Sequence, residues 1–398
     1  MLWRIIHIIE ILFWLLLSAS GAYILFFTIV SLVWRKPASK LSSYLENKVK
    51  SLHTDHYYSF LILFPAYNED RVIVSSVQQF IGQYYPSDRF HAVVISDHMK
   101  PETNDKLREL PITLLTPIFE KSSKAKAMQY AMSHIKETYD FVVILDADNL
   151  VNSDFLENLN DACAMGHKAI QCHRCAKNSN NNIAVLDGIS EEINNTIFRK
   201  AHNRIGLSSA LIGSGMCFDF KWFKENVYKL STAGEDRELE ALLLMQGIYI
   251  HYEENIPVFD EKVSNKENFQ NQRQRWMTAQ IQSFLNMLPY IPQAIKTKNI
   301  NFIDKTIQQA LIPRSMLIVL TFTMATLMTF LSQVWCLKWW LLFFLICLSL
   351  YLATPKVLRT YSMLSQVFSI PTLVWRMILN ILKIDRKNTD FIHTIHDK

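Results

Sequence analysis

Cysteine is scarce in this chain. The six present (Cys163, Cys172, Cys175, Cys217, Cys336 and Cys347) are spread over 398 residues, which excludes a disulfide scaffold and suits a reducing cytosol. Strong net charge is lacking too. Lys and Arg number 41 against 36 Asp and Glu, a balance of +5, and a nucleic-acid footprint would need a basic domain. Also missing are the many spanning segments, with polar residues inside them, that a transporter requires. What is present is a mixture. Half of the residues are hydrophobic although 19% are charged, and the length allows a core of ordinary size. This composition predicts a soluble part joined to membrane segments.

Ile11–Val33 is a run of 23 uncharged residues, enough to cross a bilayer at ~1.5 Å per residue. The small residues from Ser18 to Ala22 admit a signal peptide. The apolar run nevertheless continues to Trp34, and Glu10 interrupts the start of such a signal, which favours a retained anchor. Arg35, Lys36 and Lys40 follow and place that end in the cytoplasm. Ser315–Leu337 is a second uncharged run of 23 residues, and Trp339–Pro355 is a third, bounded by Lys338 and then by Lys356 and Arg359. The two predict a helical hairpin turning at Lys338. Tyr361–Ile384 contains Pro371 and Arg376 and reads as lying in the interface. The expected layout is a multi-pass membrane protein: an anchor at 1–36, a cytosolic catalytic unit at 37–300, and a hairpin, interfacial helix and cytosolic tail at 301–398.

Between about Ser59 and Met287 the pattern changes. Short β-rich runs at Phe60–Phe64, Ala92–Ser96, Ile112–Thr116, Phe141–Leu145 and Ala169–Cys172 alternate with stretches of helical period. One such stretch carries Met128, Ala131, Met132 and Ile135 on one face. Alternation of this kind predicts an α/β, Rossmann-like domain with a largely parallel sheet covered on both sides, and ligands collect at the carboxyl ends of such strands.

Polar motifs fall at those ends. Pro65-Ala66-Tyr67-Asn68-Glu69-Asp70 follows the first strand and can offer backbone N–H groups and carboxylates to a nucleotide; equally, Asn68 can cap a helix. Asp97 ends the second strand. Asp146-Ala147-Asp148 ends Phe141–Leu145, and paired carboxylates after a buried strand are costly unless something positive binds them. A divalent cation, magnesium or manganese, held by Asp148 would resolve that cost and neutralise a diphosphate leaving group, with Asp146 reaching sugar or ribose. Gly234-Glu235-Asp236 opens a helix, where Thr232 and Glu235 could form a capping box or Asp236 could act as a general base toward an acceptor hydroxyl. In Gln272-Arg273-Gln274-Arg275-Trp276, an Arg can clamp phosphate and the Trp can stack on a sugar or base; an amphipathic helix leading to the membrane is the plainer reading.

Together these features resemble the family-2 glycosyltransferases of the membrane polysaccharide-synthase type, relatives of cellulose, hyaluronan and poly-N-acetylglucosamine synthases. The likeness covers roughly Phe60 to Gln280, with all motifs in the family's order. It implies a GT-A domain with one N-terminal and two C-terminal transmembrane helices. The implied activity is inverting transfer, by a single displacement, from a nucleotide-sugar donor such as a UDP-sugar. The acceptor would be a growing cell-surface glycan or, alternatively, a lipid-linked molecule, with partner subunits for export and no nucleic acid involved.

Residue by residue, Pro65, Tyr67, Glu69, Asp97, Lys124 and Asp146 would hold the donor, Asp148 the metal, and Asp236 would be the base. Gly213, Ser214 and Gly215 would shape the acceptor side, where Glu235, Gln272, Arg275 and Trp276 also lie. The sequence departs from the family in two places. Pro101, followed by Glu102, stands where a second Asp is usual, and Ser123-Lys124-Ala125 replaces the glycine-flanked lysine.

Two other features carry less. Cys172-His173-Arg174-Cys175, with Cys163 and His167 upstream, has the look of a zinc cluster, yet Ala169–Cys172 reads as a strand and no second Cys-x-x-Cys exists. His393 and His396 belong to a solvated tail, and Asn178–Asn182 to a turn near the acceptor entrance. A nucleotidyltransferase would share the sheet and the carboxylates but leaves the Gln-x-x-Arg-Trp run and the hairpin unexplained; a scaffold without activity would not be expected to keep Asp97, Asp148 and Asp236.

Overall fold

Phe60–Phe64 and Val142–Leu145 are apolar at every position, so strands built from them must be covered on both faces. The computed structural model describes residues 2–33, 56–178, 182–232, 234–262 and 266–359. The basic flank at 35–40, the interfacial segment Tyr361–Ile384 and the histidines of the tail lie outside these residues. The strands are β1 (Phe60–Tyr67), β2 (Phe90–Asp97), β3 (Thr113–Leu115), β4 (Phe141–Ile144), β5 (Leu150–Val151), β6 (Ala169–Ala176), β7 (Met216–Asp219) and β8 (His251–Asp260). The longer helices relevant to the site are α1 (Leu2–Val33), α2 (Lys124–His134), α3 (Asn182–Asn194), α4 (Glu235–Met245), α5 (Lys266–Met287), α6 (Ile300–Ala310), α7 (Arg314–Leu331) and α8 (Gln333–Ala353).

The sheet runs β3-β2-β1-β4-β7-β6-β8-β5. Alternate residues of β1 serve its two faces: Leu61 and Leu63 pack with Met128, Phe218 and Leu243, while Phe60, Ile62 and Phe64 pack with Val77, Phe155 and Leu159. The expectation of a largely parallel sheet needs correction. β1, β2, β3 and β4 are mutually parallel where they pair, but β7 is antiparallel to both β4 and β6. The reversal is local. Gly213 and Gly215 sit at φ +74° and +63°, a region that favours glycine, and Gly215 N donates to Ile144 O at 2.9 Å. A Cβ on Gly215 would stand 3.0 Å from Val258 Cγ2. Residues 300–310, past the boundary expected at 300, form α6, whose Phe302 lies in the same core as Leu243 and Met287.

Among the described residues, three helices, α1, α7 and α8, are long and apolar enough to cross a membrane. Outward-facing Leu12, Leu16, Phe26, Phe330 and Leu341 are left uncovered by protein, a surface suited to lipid. The small residues around Gly21 have a packing use, since a Cβ there would meet Leu342 and Ile346 of α8 at 3.1 and 3.3 Å. The hairpin turns at Ser332, not at Lys338. Ser332 accepts from Trp335 N as the cap of α8, and Lys338 lies inside that helix. Its ammonium pairs with buried Glu10 of α1 at 2.8 Å, and Glu10 also accepts from Trp339 Nε1 at 2.6 Å. Two charges that each read as the end of an apolar run therefore neutralise one another inside it.

Candidate active site

The carboxyl ends of β1, β2 and β4 open on one cavity of about 1090 Å³. Pro65, Tyr67, Glu69, Asp97, Lys124, Asp146, Asp148, Gly213, Glu235, Asp236, Gln272, Arg275 and Trp276 all line it, so residues drawn from seven separate stretches of sequence meet in one place. Ser214 and Gly215 do not. Ser214 is wholly buried, with its carbonyl accepting from Gln171 Nε2 at 2.9 Å, and Gly215 belongs to the wall behind.

Each side chain is aimed by its local structure. Tyr67 and Asp97 are register partners at the ends of β1 and β2. Asp97 is buried and its Oδ1 lies 2.6 Å from His98 Nδ1. Asn68 does not cap a helix. It sits at φ +54°, and the following helix begins only at Ile73. Ser123 caps α2 through Lys126 N, which sends Lys124 from the first turn back into the cavity. There its ammonium contacts Asp146, donates to Gly213 O at 2.7 Å and lies 3.8 Å from Glu235. Burial pulls the Lys124 pKa down, but the Asp146 and Glu235 carboxylates outweigh it and hold it above the ordinary value.

The acidic centre is larger than the sequence motif. Asp146, Asp148 and Asp260 bring carboxylate oxygens within 4.8 Å of one another. Asp260 ends β8, where Arg174 Nη2 at 2.6 Å and Lys262 Nζ at 2.9 Å hold it; they outweigh burial and keep its carboxyl well below the usual range. Asp148 is buried, its Oδ2 accepting from Glu261 N at 2.9 Å. Arg174 and Asp260 were not singled out as site residues from sequence. The available signal for Arg174 was its place within Cys172–Cys175; β6 slips register against β8 between Cys172 and His173, just before it. The zinc reading is only partly assembled: Cys172 is buried in the strand and His167 stacks on His251 at 3.8 Å, whereas His173 and Cys175 bring ligand atoms within 4.8 Å of one another and of Glu192. His173 Nε2 meets Glu192 at 3.0 Å.

At the start of α4, the capping box that Thr232 and Glu235 could have formed is not made. Glu238 does that work, accepting from Ser231 N at 2.9 Å and Thr232 N at 3.2 Å. Glu235 and Asp236 are thereby released toward Gly213, from whose would-be Cβ each carboxylate stands 3.9 Å away. Burial pushes the Glu235 carboxyl up to about 7, with the Asp236 charge adding and Lys124 opposing. Along α5, Arg273 covers the Trp276 ring at 4.7 Å and donates to Asp187 at 2.5 Å. Gln272 leaves a buried Oε1 without a hydrogen-bond partner.

An acidic centre, a lysine and helix-borne carboxylates thus meet at the carboxyl ends of the strands. Residues 141–379 match the Glycosyl transferase family group 2, and the chain belongs to that family: it is a glycosyltransferase with a GT-A-type fold. Among curated proteins, it is similar to the probable glycosyltransferase YdaM of Bacillus subtilis (strain 168), 27% identical over 93 residues. That stretch is 22% of either chain, so the match spans about a fifth of the relative's length. Among solved structures, it is similar to the mannosyltransferase PcManGT from Pyrobaculum calidifontis in complex with GDP-Man and Mn2+. That likeness has 15% identity and a TM-score of 0.49, covering 89% of this chain and 99% of that one. S. aureus TarS 1–349 in complex with UDP-GlcNAc is similar at 13% identity and TM-score 0.43, covering 83% and 95%.

Proposed function

We propose that the chain transfers a sugar, with inversion at the anomeric carbon, from a nucleoside-diphosphate sugar to a membrane-held acceptor. The observation that carries this reading is the single cavity joining the Asp146–Asp148 end to Asp236 and continuing to side chains of α7 and α8. The growing glycan or lipid-linked acceptor expected from the motifs would approach from that side.

Asp146, Asp148 and Asp260 offer only hard oxygen donors, which fit magnesium or manganese rather than a softer ion. A divalent cation bound to Asp148 and Asp146 supplies charge neutralisation for the diphosphate. Asp260, already matched by Arg174 and Lys262, supports the cluster. Pro65, Tyr67, Glu69 and Asp97 hold the nucleotide end. Lys124, fully charged between two carboxylates, places positive charge beside the leaving group. The unpartnered Oε1 of Gln272 is an acceptor for a sugar hydroxyl, and Trp276 gives the sugar an apolar face.

Asp236 takes the proton of the acceptor hydroxyl. The freed oxygen attacks the anomeric carbon from the face opposite the departing nucleoside diphosphate, and that bond breaks as the new one forms. Asp236 stands in the first turn of α4, and its Oδ1 accepts from Arg237 N at 2.8 Å. Loss of such a base costs on the order of 100- to 10,000-fold. The test is Asp236→Asn in membranes supplied with UDP- and GDP-sugars. Nucleotide affinity is expected to persist while transfer, read as nucleotide release and product size, collapses. Transfer at near the parent rate would make the base assignment wrong.

A further inference from the structure

The cavity does not end at the carboxylates. It continues along the membrane helices, where Ile318 of α7 and Phe344, Cys347, Leu348 and Tyr351 of α8 line it. Phe344 is 60% exposed and Leu348 49%, so side chains that line the cavity also face outward on a helix apolar enough to sit in lipid. Arg314, the first residue of α7, stands where the polar lining meets this apolar part. Its Nη2 donates to Ser190 O at 3.1 Å and to Ser190 Oγ at 3.0 Å. Its Nη1 is buried and has no hydrogen-bond partner.

Neighbouring charges do not complete it. The two carboxylates that α3 turns this way are already taken, Asp187 by Arg273 at 2.5 Å and Glu191 by Arg199 at 2.9 Å. Among the described residues, no carboxylate forms an ion pair with Arg314. The surroundings therefore carry one more guanidinium than they have acids to match. A buried cation with an open donor is costly until an anion arrives, and the planar guanidinium fork suits phosphate oxygens.

We propose that Arg314 binds the phosphate of a lipid-linked acceptor whose hydrocarbon chain leaves the cavity along α8, past Phe344 and Leu348. The proposal rests on the transferase reading above and adds the acceptor's chemical class: an amphiphile with an anionic phosphate head. Ser190 holds the guanidinium so that Nη1 faces the incoming head, and the cavity beyond it accepts the chain. The head then lies on the membrane side of Asp236, which is the side from which the acceptor must come.

The test uses the full chain in detergent micelles and three probes: farnesyl phosphate, farnesol and inorganic phosphate. Farnesyl phosphate is expected to bind at least tenfold more tightly than either of the others. Arg314→Gln should weaken it by about 10- to 100-fold, the worth of a charge-assisted phosphate contact, while UDP and GDP affinities stay at the parent value. Equal binding of farnesol and farnesyl phosphate by the parent protein overturns the proposal, whether or not the variant folds. Inorganic phosphate binding as tightly as farnesyl phosphate points to a free-phosphate site, and parallel loss of nucleotide affinity assigns Arg314 to the donor; either result overturns it too. Nucleotide release from sugar donors is scored separately in the same preparation. Prenyl-phosphate binding without any turnover counts against the transferase reading alone, and turnover without Arg314-dependent binding counts against this site alone.

Discussion

Glu235 gives a test in which the chemistry of the site is read through stability. The side chain is 8% exposed, and burial lifts its carboxyl from the usual 4.5 to about 7. Between those values the folded chain keeps a proton that the unfolded chain has released. Rising pH therefore favours unfolding across this window, and the contribution is complete once pH passes 7. The span of about 2.5 pH units corresponds to on the order of 3 kcal/mol at ~1.4 kcal/mol per unit. Glu235→Gln removes the titration and keeps the volume. Lys124, held above its ordinary value, stays charged throughout, and carboxylates remote from Glu235 are common to both proteins, so they cancel in the comparison. The measurement is the melting temperature of the full chain in detergent, free of nucleotide and divalent cation, at pH 5 and pH 8. The parent is expected to lose several degrees relative to the variant over that interval. A difference between the two proteins that does not change with pH would refute the buried, proton-holding Glu235 and with it the low-dielectric cavity floor.

Three other outcomes follow from the structure. Asp148→Asn should abolish transfer and weaken nucleotide binding measured with manganese or magnesium, and EDTA should inactivate the parent; full activity in EDTA would sink the metal assignment. Ser332→Cys, in a background with Cys336 and Cys347 replaced by Ser, should react with an impermeant maleimide from the non-cytosolic side of sealed cells if, as the basic flanks lead one to expect, the catalytic unit is cytosolic. Labelling only after permeabilisation would reverse the topology. Gly215→Ala combines a left-handed backbone with a Cβ 3.0 Å from Val258. A cost of about 2–4 kcal/mol is expected, seen as a lowered melting temperature, and an unchanged value would contradict the close approach of Gly215 to Val258.

What could be read along the chain was what depends on near neighbours. Phe60–Phe64 and Phe141–Leu145 are apolar at consecutive positions, which defines buried strands before any partner is known. Asp146 and Asp148 follow such a strand directly, and Glu235-Asp236 opens a helix, so their placement at one end of a sheet was legible from pattern alone. The α/β class, the three apolar helices and the carboxylates at strand ends all came from this local information.

Other features were decided only by tertiary structure, because the partner that settles each is distant in sequence. Lys338 ends an apolar run until Glu10, 328 positions away, neutralises it, and the turn moves to Ser332. Arg174 and Asp260 are 86 positions apart, and neither has a local pattern that marks it as part of the acidic centre. Thr232 with Glu235 fits a capping box as well as any sequence can, yet Glu238 reaches the same backbone and leaves Glu235 to the cavity. β7 is four residues long, too short for its period to show, and its antiparallel course is set by pairing with β4 and β6, both distant in sequence. Sequence pattern by itself determined which segments are buried and where charge clusters along the chain. Which charge meets which is a matter of long-range electrostatics and packing, and only the folded chain brings those groups within reach of one another.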